Sequence, residues 1–245
     1  MNRFFTDPSN IGDKTIKITD KQDIQHIAKV LRLHEGDKIE VSDSEKWEYI
    51  AEISFIDKDC VEALIVDKQK FTNEPFTKVT LFQGVPKQGK MELIIQKNVE
   101  LGVNEIVPVF TDRCVVTDNG KMSKKIERWQ KVSDEAVKQC KRGIIPRVGD
   151  DITFKEMLDL LGGFDLVLFP YENEDDRSIK DALRGLTEKP EHVAVIIGPE
   201  GGFSDKEAET LKAMETECVT LGKTTLRTET AGMAAVSMIM YELEL

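Results

Sequence analysis

Through residues 1–70 apolar and polar positions alternate with period two. "TIKIT", "DKIEV", "WEYIAEISFID" and "CVEALIV" follow one another with short polar breaks. Short strands at this spacing predict a small barrel or sandwich. One segment, "DKQDIQHIAKVLRLHEGD", breaks the pattern: Ile24, Ile27, Val30 and Leu31 recur at helical spacing, and "HEGD" closes it with a glycine turn. The stretch "KQKFTNEPF" is polar and carries a proline, which puts a domain boundary near residue 73.

Beyond it strand-like and helix-like patterns alternate. "KVTLFQGV" reads as a strand and "GKMELIIQKNVELG" as a helix ended by Gly102. "EIVPVF" is a strand, and "SKKIERWQKVSDEAVKQCKR" a long helix closed by Gly143 and Pro146. Then come strand "FDLVLFP", helix "RSIKDALRGL", strand "HVAVIIG", helix "SDKEAETLKAMET", strand "CVTLG" and helix "TETAGMAAVSMIMYELE". This alternation predicts an α/β domain, a parallel sheet covered on both faces by helices. Neither an internal repeat nor a low-complexity segment is evident.

Ligands of open α/β sheets bind beyond the carboxyl ends of the strands. Three such ends carry chemistry: "LVLFPYENED", "VIIGPEGGFSDKE" and "CVTLGKTTLRTETAG". The second is not a phosphate-binding P-loop, because no Gly-Lys-Ser/Thr follows, and it is not G-x-G-x-x-G. Glu200 among its amides would repel phosphates, so the loop suits an uncharged or cationic ligand better. Ser204 and Glu207 fit the S-x-x-E capping box, which explains Ser204 without a catalytic role. The plain alternative for Gly198, Gly201 and Gly202 is a tight turn with positive φ. In the third loop the threonines are candidate helix caps and Arg227 beside Glu229 a candidate ion pair. The small residues of the helix that follows suit burial in the core or in a subunit interface.

Composition narrows the picture. The chain has 245 residues, 40% of them hydrophobic and 32% charged, which fits a globular protein of one large domain or two smaller ones. Its apolar stretches are far shorter than a membrane span, and the start "MNRFFTDPSN" lacks a signal-peptide apolar region, so a cytoplasmic protein with no membrane partner is expected. Four cysteines lie far apart and only three histidines occur, so neither a metal site nor a disulfide framework is expected. The net charge is −11, yet residues 121–147 hold nine Lys or Arg against three acids, a local excess of +6. Such a run is either a solvated helix face or a phosphate-facing patch.

Together, "IIGPEGGFSDKE" and "LGKTTLRTETAGMAA" resemble the paired signature of the knotted SPOUT methyltransferases, and more narrowly the RsmE family, which methylates N3 of a uridine in small-subunit (16S) ribosomal RNA. The resemblance spans nearly the whole chain. "RFF" and "HIAKVLRLHEGDKIEV" are similar to that family's N-terminal PUA-like barrel, and "KMELIIQKNVELGVNEIVPV" and "KKIERWQKVSDEAVKQCKRGIIPRV" to its middle segments. One departure is visible: Lys223, Thr224 and Thr225 stand where the family commonly has Pro-Arg-Ile.

The resemblance implies a PUA-like RNA-binding domain over residues 1–72 and a SPOUT domain with a C-terminal trefoil knot over 73–245. It implies a homodimer whose terminal helix packs the interface. It implies S-adenosylmethionine held by three segments: Phe169, Pro170, Tyr171 and Glu172; Ile197, Gly198, Pro199, Glu200, Gly201 and Gly202; and Leu221, Gly222, Leu226, Arg227, Thr228 and Ala231. Arg227 is then the candidate to stabilise the deprotonated uracil, and Glu200 and Glu229 are the candidate bases. The RNA surface is expected on Arg3, Arg32, Lys124, Lys125, Arg128 and Arg142. Two rival classes stay open: a non-catalytic RNA-binding module with a decayed cofactor pocket, and a nucleotide-dependent enzyme using the glycine loop for phosphate.

Overall fold

Two groups of strands, built on different principles, emerge in the computed structural model, which describes residues 1–71, 73–117 and 120–245. The chain divides into one unit of Met1–Glu74 with Val137–Ile145 and another of Pro75–Ala136 with Pro146–Leu245.

The first unit contains β1 (Arg3–Phe5), β2 (Thr15–Ile18), α1 (Lys21–Gln25), β3 (Lys38–Ser42), β4 (Trp47–Ile56) and β5 (Val61–Lys70). Its sheet runs β1-β3-β4-β5-β2, with β1 parallel to β3 and the other pairs antiparallel. The alternation seen in the sequence is the cause. Ile16 and Ile18, Ile39 and Val41, and Ala51 and Ile53 turn to one buried face while their neighbours turn outward. The predicted helical segment is present but not uniform. Asp20 caps α1 by accepting from the amides of Gln22 and Asp23, and His26–Val30 then continue as a π-helical turn.

The second unit follows in chain order. It contains β6 (Lys78–Gly84), α2 (Lys90–Glu100), β7 (Glu105–Phe110), α3 (Met122–Cys140), β8 (Arg147–Val148), β9 (Ile152–Thr153), α4 (Phe154–Leu160), β10 (Leu166–Pro170), α5 (Ile179–Arg184), β11 (His192–Ile197), α6 (Asp205–Lys212), β12 (Glu217–Val219) and α7 (Thr228–Glu244). The last turn of α3 belongs to the first unit. The main sheet runs β12-β10-β11-β6-β7-β8, with β9 also on β7, and every pair among the described residues is parallel. This is the predicted α/β arrangement. β10 and β11 are buried almost end to end, as strands covered on both faces must be. No helix among the described residues is long and apolar enough to cross a membrane.

Strand order positions the site. β12, β10 and β11 are neighbours, so the loops after them emerge side by side at one edge of the sheet. α4 is an element beyond those predicted from the sequence; Thr153 and Glu156 form a capping box at its start.

Candidate cofactor site

The three loops close around one cavity of about 520 Å³, a size suited to a small ligand. Pro170, Tyr171 and Glu172 line it from the first loop, residues 197–203 from the second, and residues 220–228 from the third, with Ala231 behind. The structure thus gathers the expected cofactor residues around one space, with one exception. Phe169 is fully buried; it stacks under Tyr171 at 5.3 Å and meets the edge of Phe203 at 5.2 Å. It is absent from the cavity lining and supports the wall from behind through Tyr171 and Phe203.

The glycine loop is shaped by close approach more than by unusual dihedrals. Only Gly202 of its three glycines has positive φ, at 66°, and a Cβ there would sit 2.7 Å from a Glu172 carboxylate oxygen. Gly198 and Gly201 do not adopt the positive φ of the tight-turn alternative; a Cβ on them would press on Phe203 at 3.0 Å and on Arg113 at 3.1 Å. The end of β6 carries the tightest constraint. A Cβ at Gly84 would lie 2.5 Å from the Pro199 nitrogen, so the second loop can cross there only over a glycine. On its outer side the loop is held by Arg113, which donates to the Gly201 carbonyl at 3.2 Å.

Ser204 behaves as the sequence predicts. Its hydroxyl accepts from the Glu207 amide, and Glu207 accepts from the Ser204 amide at 2.8 Å. The start of α7 differs from the expectation. Arg227 occupies the cap position but makes no side-chain capping bond. Thr228 instead donates to the Gly198 carbonyl at 2.6 Å and accepts from Gln83 at 2.9 Å. This buried chain ties α7 to the glycine loop and to β6.

The expected Arg227–Glu229 ion pair is not formed. Glu229 pairs with Lys90 at 3.3 Å, and the same ammonium reaches Glu200 at 3.0 Å. Glu200 also accepts from the Lys87 amide. Burial alone would push the Glu200 carboxyl up, but its own amide, Lys90 and the Lys87 amide outweigh that and hold it below the ordinary carboxylate range. Bonding to Glu200 holds Lys90 above the ordinary lysine range. A carboxylate held low in this way is a weak proton acceptor. Arg227 is exposed, lines the cavity and takes part in no ion pair among the described residues.

The expected RNA residues separate into two groups. Arg3 and Arg142 are corrected: the side chains of both are buried in the first unit and committed to ion pairs. Arg3 meets Glu40 and Glu48 and donates to the carbonyls of Lys141 and Arg142, while Arg142 meets Glu74 at 2.8 Å. Burying a guanidinium demands such partners. Arg32, Lys124 and Arg128 are exposed and Lys125 half-buried; Arg128 pairs with Glu92 on α2. Sequence reasoning missed Lys90 and Arg113. Each sits far along the chain from the loop it braces, and no local pattern marks either.

A parallel sheet with three adjacent carboxyl-end loops around one cavity defines an α/β protein that binds a small ligand at its strand ends. Residues 72–240 match the family model described as RNA methyltransferase domain, and residues 18–66 the one described as RNA methyltransferase PUA domain. The chain is 35% identical to Ribosomal RNA small subunit methyltransferase E of Bacillus subtilis (strain 168), over 94% of this chain and 91% of that protein. It is 34% identical to the protein of that name from Mesomycoplasma hyopneumoniae (strain 232), over 70% and 73%. It is also similar to the crystal structure of Ribosomal RNA small subunit methyltransferase E from Neisseria gonorrhoeae bound to S-adenosyl methionine. There the TM-score is 0.86 and the identity 28%, with 98% of this chain and 97% of that chain covered. The chain belongs to the RNA methyltransferase family, among the ribosomal RNA small subunit methyltransferases E.

Proposed function

We propose that the protein transfers a methyl group from S-adenosylmethionine to N3 of a uridine in small-subunit ribosomal RNA. The observation that carries this reading is the cavity closed by the three loops after β10, β11 and β12, in a chain similar over nearly its whole length to a relative with that cofactor bound. The lining fits such a group. Lys90, Lys223 and Arg227 face Glu172, Asp175 and Glu200, so the cavity is balanced in charge and lacks the uniformly basic lining of a polyphosphate site.

In this reading the backbone of Ile197, Gly198, Leu221, Gly222 and Leu226 holds the adenine edge, and Pro170, Tyr171, Glu172, Pro199, Gly201, Gly202, Thr228 and Ala231 complete the walls. The cofactor supplies an electrophilic methyl on a sulfonium. The protein orients the uracil toward it and stabilises the charge left on O2 and O4 when N3 loses its proton. Arg227, at the cavity wall and in no ion pair among the described residues, suits that task. Glu200 and Glu229 are engaged by Lys90 and suit a bracing role better than that of base. A target that pairs through N3 must be unpaired or flipped out.

Residues 1–72 serve as a PUA-like barrel that binds RNA and residues 73–245 as a SPOUT domain with a trefoil knot, acting as a homodimer in the cytoplasm. The return of α7 from the edge strand β12 to pack on α2, β6 and β11 supports threading of the chain. Arg32, Lys124 and Lys125 are the RNA-facing cations, while Arg128 is engaged by Glu92. Calorimetry with S-adenosylmethionine tests the reading. Saturable binding is expected, and no binding would favour an RNA-binding module with a decayed pocket.

A further inference from the structure

We propose that Lys90 is a positioning residue that locks two walls of the cavity together, the glycine loop through Glu200 and the start of α7 through Glu229. Three segments remote in sequence meet at its ammonium. Lys90 opens α2, directly after two residues with positive φ, Gln88 at 49° and Gly89 at 63°. Its Nζ lies 3.0 Å from Glu200 and 3.3 Å from Glu229. The three side chains are only 31%, 24% and 14% exposed, so solvent screens them poorly.

The balance of partners makes Lys90 pivotal. Glu200 has a second anchor in the Lys87 amide. Oε2 of Glu229 is buried without a hydrogen bond, and the Lys90 ammonium is the cation facing it among the described residues. Removing that ammonium leaves the Glu229 carboxylate without its cation and Glu200 with only its amide donors, and two like charges left beside one another push their segments apart. The loop and the helix start would then separate where Ile197, Gly198 and Leu226–Thr228 face the same space. Lys90 acts through these segments and not on the reacting atoms.

The test compares Lys90→Met, Lys90→Arg, Glu229→Gln and the double variant Lys90→Met/Glu229→Gln in the full chain. Melting temperature without cofactor reads the clamp alone. Lys90→Met should melt lower, and Glu229→Gln should restore part of the loss in the double variant, since it removes the stranded charge. S-adenosylmethionine affinity by calorimetry should fall about tenfold or more in Lys90→Met and return to within about threefold in Lys90→Arg, in the range seen when outer-shell partners of a site are removed. KM for the cofactor should rise more than kcat falls. Additive melting effects, or an arginine variant as impaired as the methionine variant, would overturn the proposal. So would a fall in kcat at unchanged affinity, which would make Lys90 a catalytic group. The affinity arm rests on the cofactor reading. If the parent protein binds no S-adenosylmethionine, that reading fails while the melting cycle still decides the clamp.

Discussion

Glu200 shows what single residues do at this site. Its position among glycines made it a candidate base in the sequence. In the fold it accepts from the Lys87 amide, pairs with Lys90 and is held below the ordinary carboxylate range, which are the marks of a brace. Arg227 remains a cation of the cavity wall with no ion-pair partner among the described residues. Arg227→Ala should leave stability within about 0.5 kcal/mol, as for an exposed side chain without special contacts. It should also lower methylation of small subunits by a factor of about 10²–10³, the usual effect of removing a donor from a developing anion. Normal turnover would end its catalytic role. Gly84→Ala should do the opposite, destabilising the fold by about 1–3 kcal/mol in chemical denaturation because its Cβ overlaps the Pro199 backbone. Residue-level legibility was uneven for a physical reason. Ser204 and Glu207 are three apart and announce their own bond, whereas the Lys90–Glu229 pair exists only because the sheet brings α2 and α7 together.

Elements were the most readable level, because the periods of burial are local. The two-residue alternation marked β2 to β5, and the apolar runs marked β10 and β11. What failed were β1, β8, β9 and α4, pieces of two to seven residues over which a period of burial is too short to read. The start of α7 failed differently, because Thr228 spends its hydroxyl on Gly198, thirty residues away, and not on its own helix. For α6, Ser204→Ala should cost about 0.5–2 kcal/mol of stability, as cap removal does, while leaving cofactor affinity unchanged. The far end of α7 carries a pH dependence. Burial alone would raise the Glu244 carboxyl, but the Thr77 amide, Lys189 and the Phe76 amide outweigh it and lower it from its ordinary 4.5. A lowered folded value means this stabilisation is fully present above pH 4.5 and is lost as pH falls through the folded value. Glu244→Gln should therefore lower the melting temperature at neutral pH and narrow its gap from the parent as pH falls below 4.5. A gap that stays constant with pH would contradict that linkage.

For the whole molecule, the net charge of −11 would argue against an RNA-binding protein, and only its distribution permits one. Even that distribution needs correction, because Lys138, Arg142 and Arg128 of the basic segment are engaged by Asp23, Glu74 and Glu92. The exposed remainder on α3 is small, so Lys124→Glu with Lys125→Glu should weaken RNA affinity and reduce its salt slope by about 1–2. Unchanged affinity would leave that helix a solvated face. The parallel sheet was legible as alternation, but the order β12-β10-β11 was not, and that order brings three separate loops to one cavity. The activity of the molecule depends on what the cavity holds. The direct measurement is to incubate the protein with methyl-labelled S-adenosylmethionine and small ribosomal subunits from cells lacking this gene, then map the labelled base. Label on N3 of a uridine of the small-subunit RNA is the predicted result. Cofactor binding without any transfer to that RNA, or label on a different atom, would contradict it.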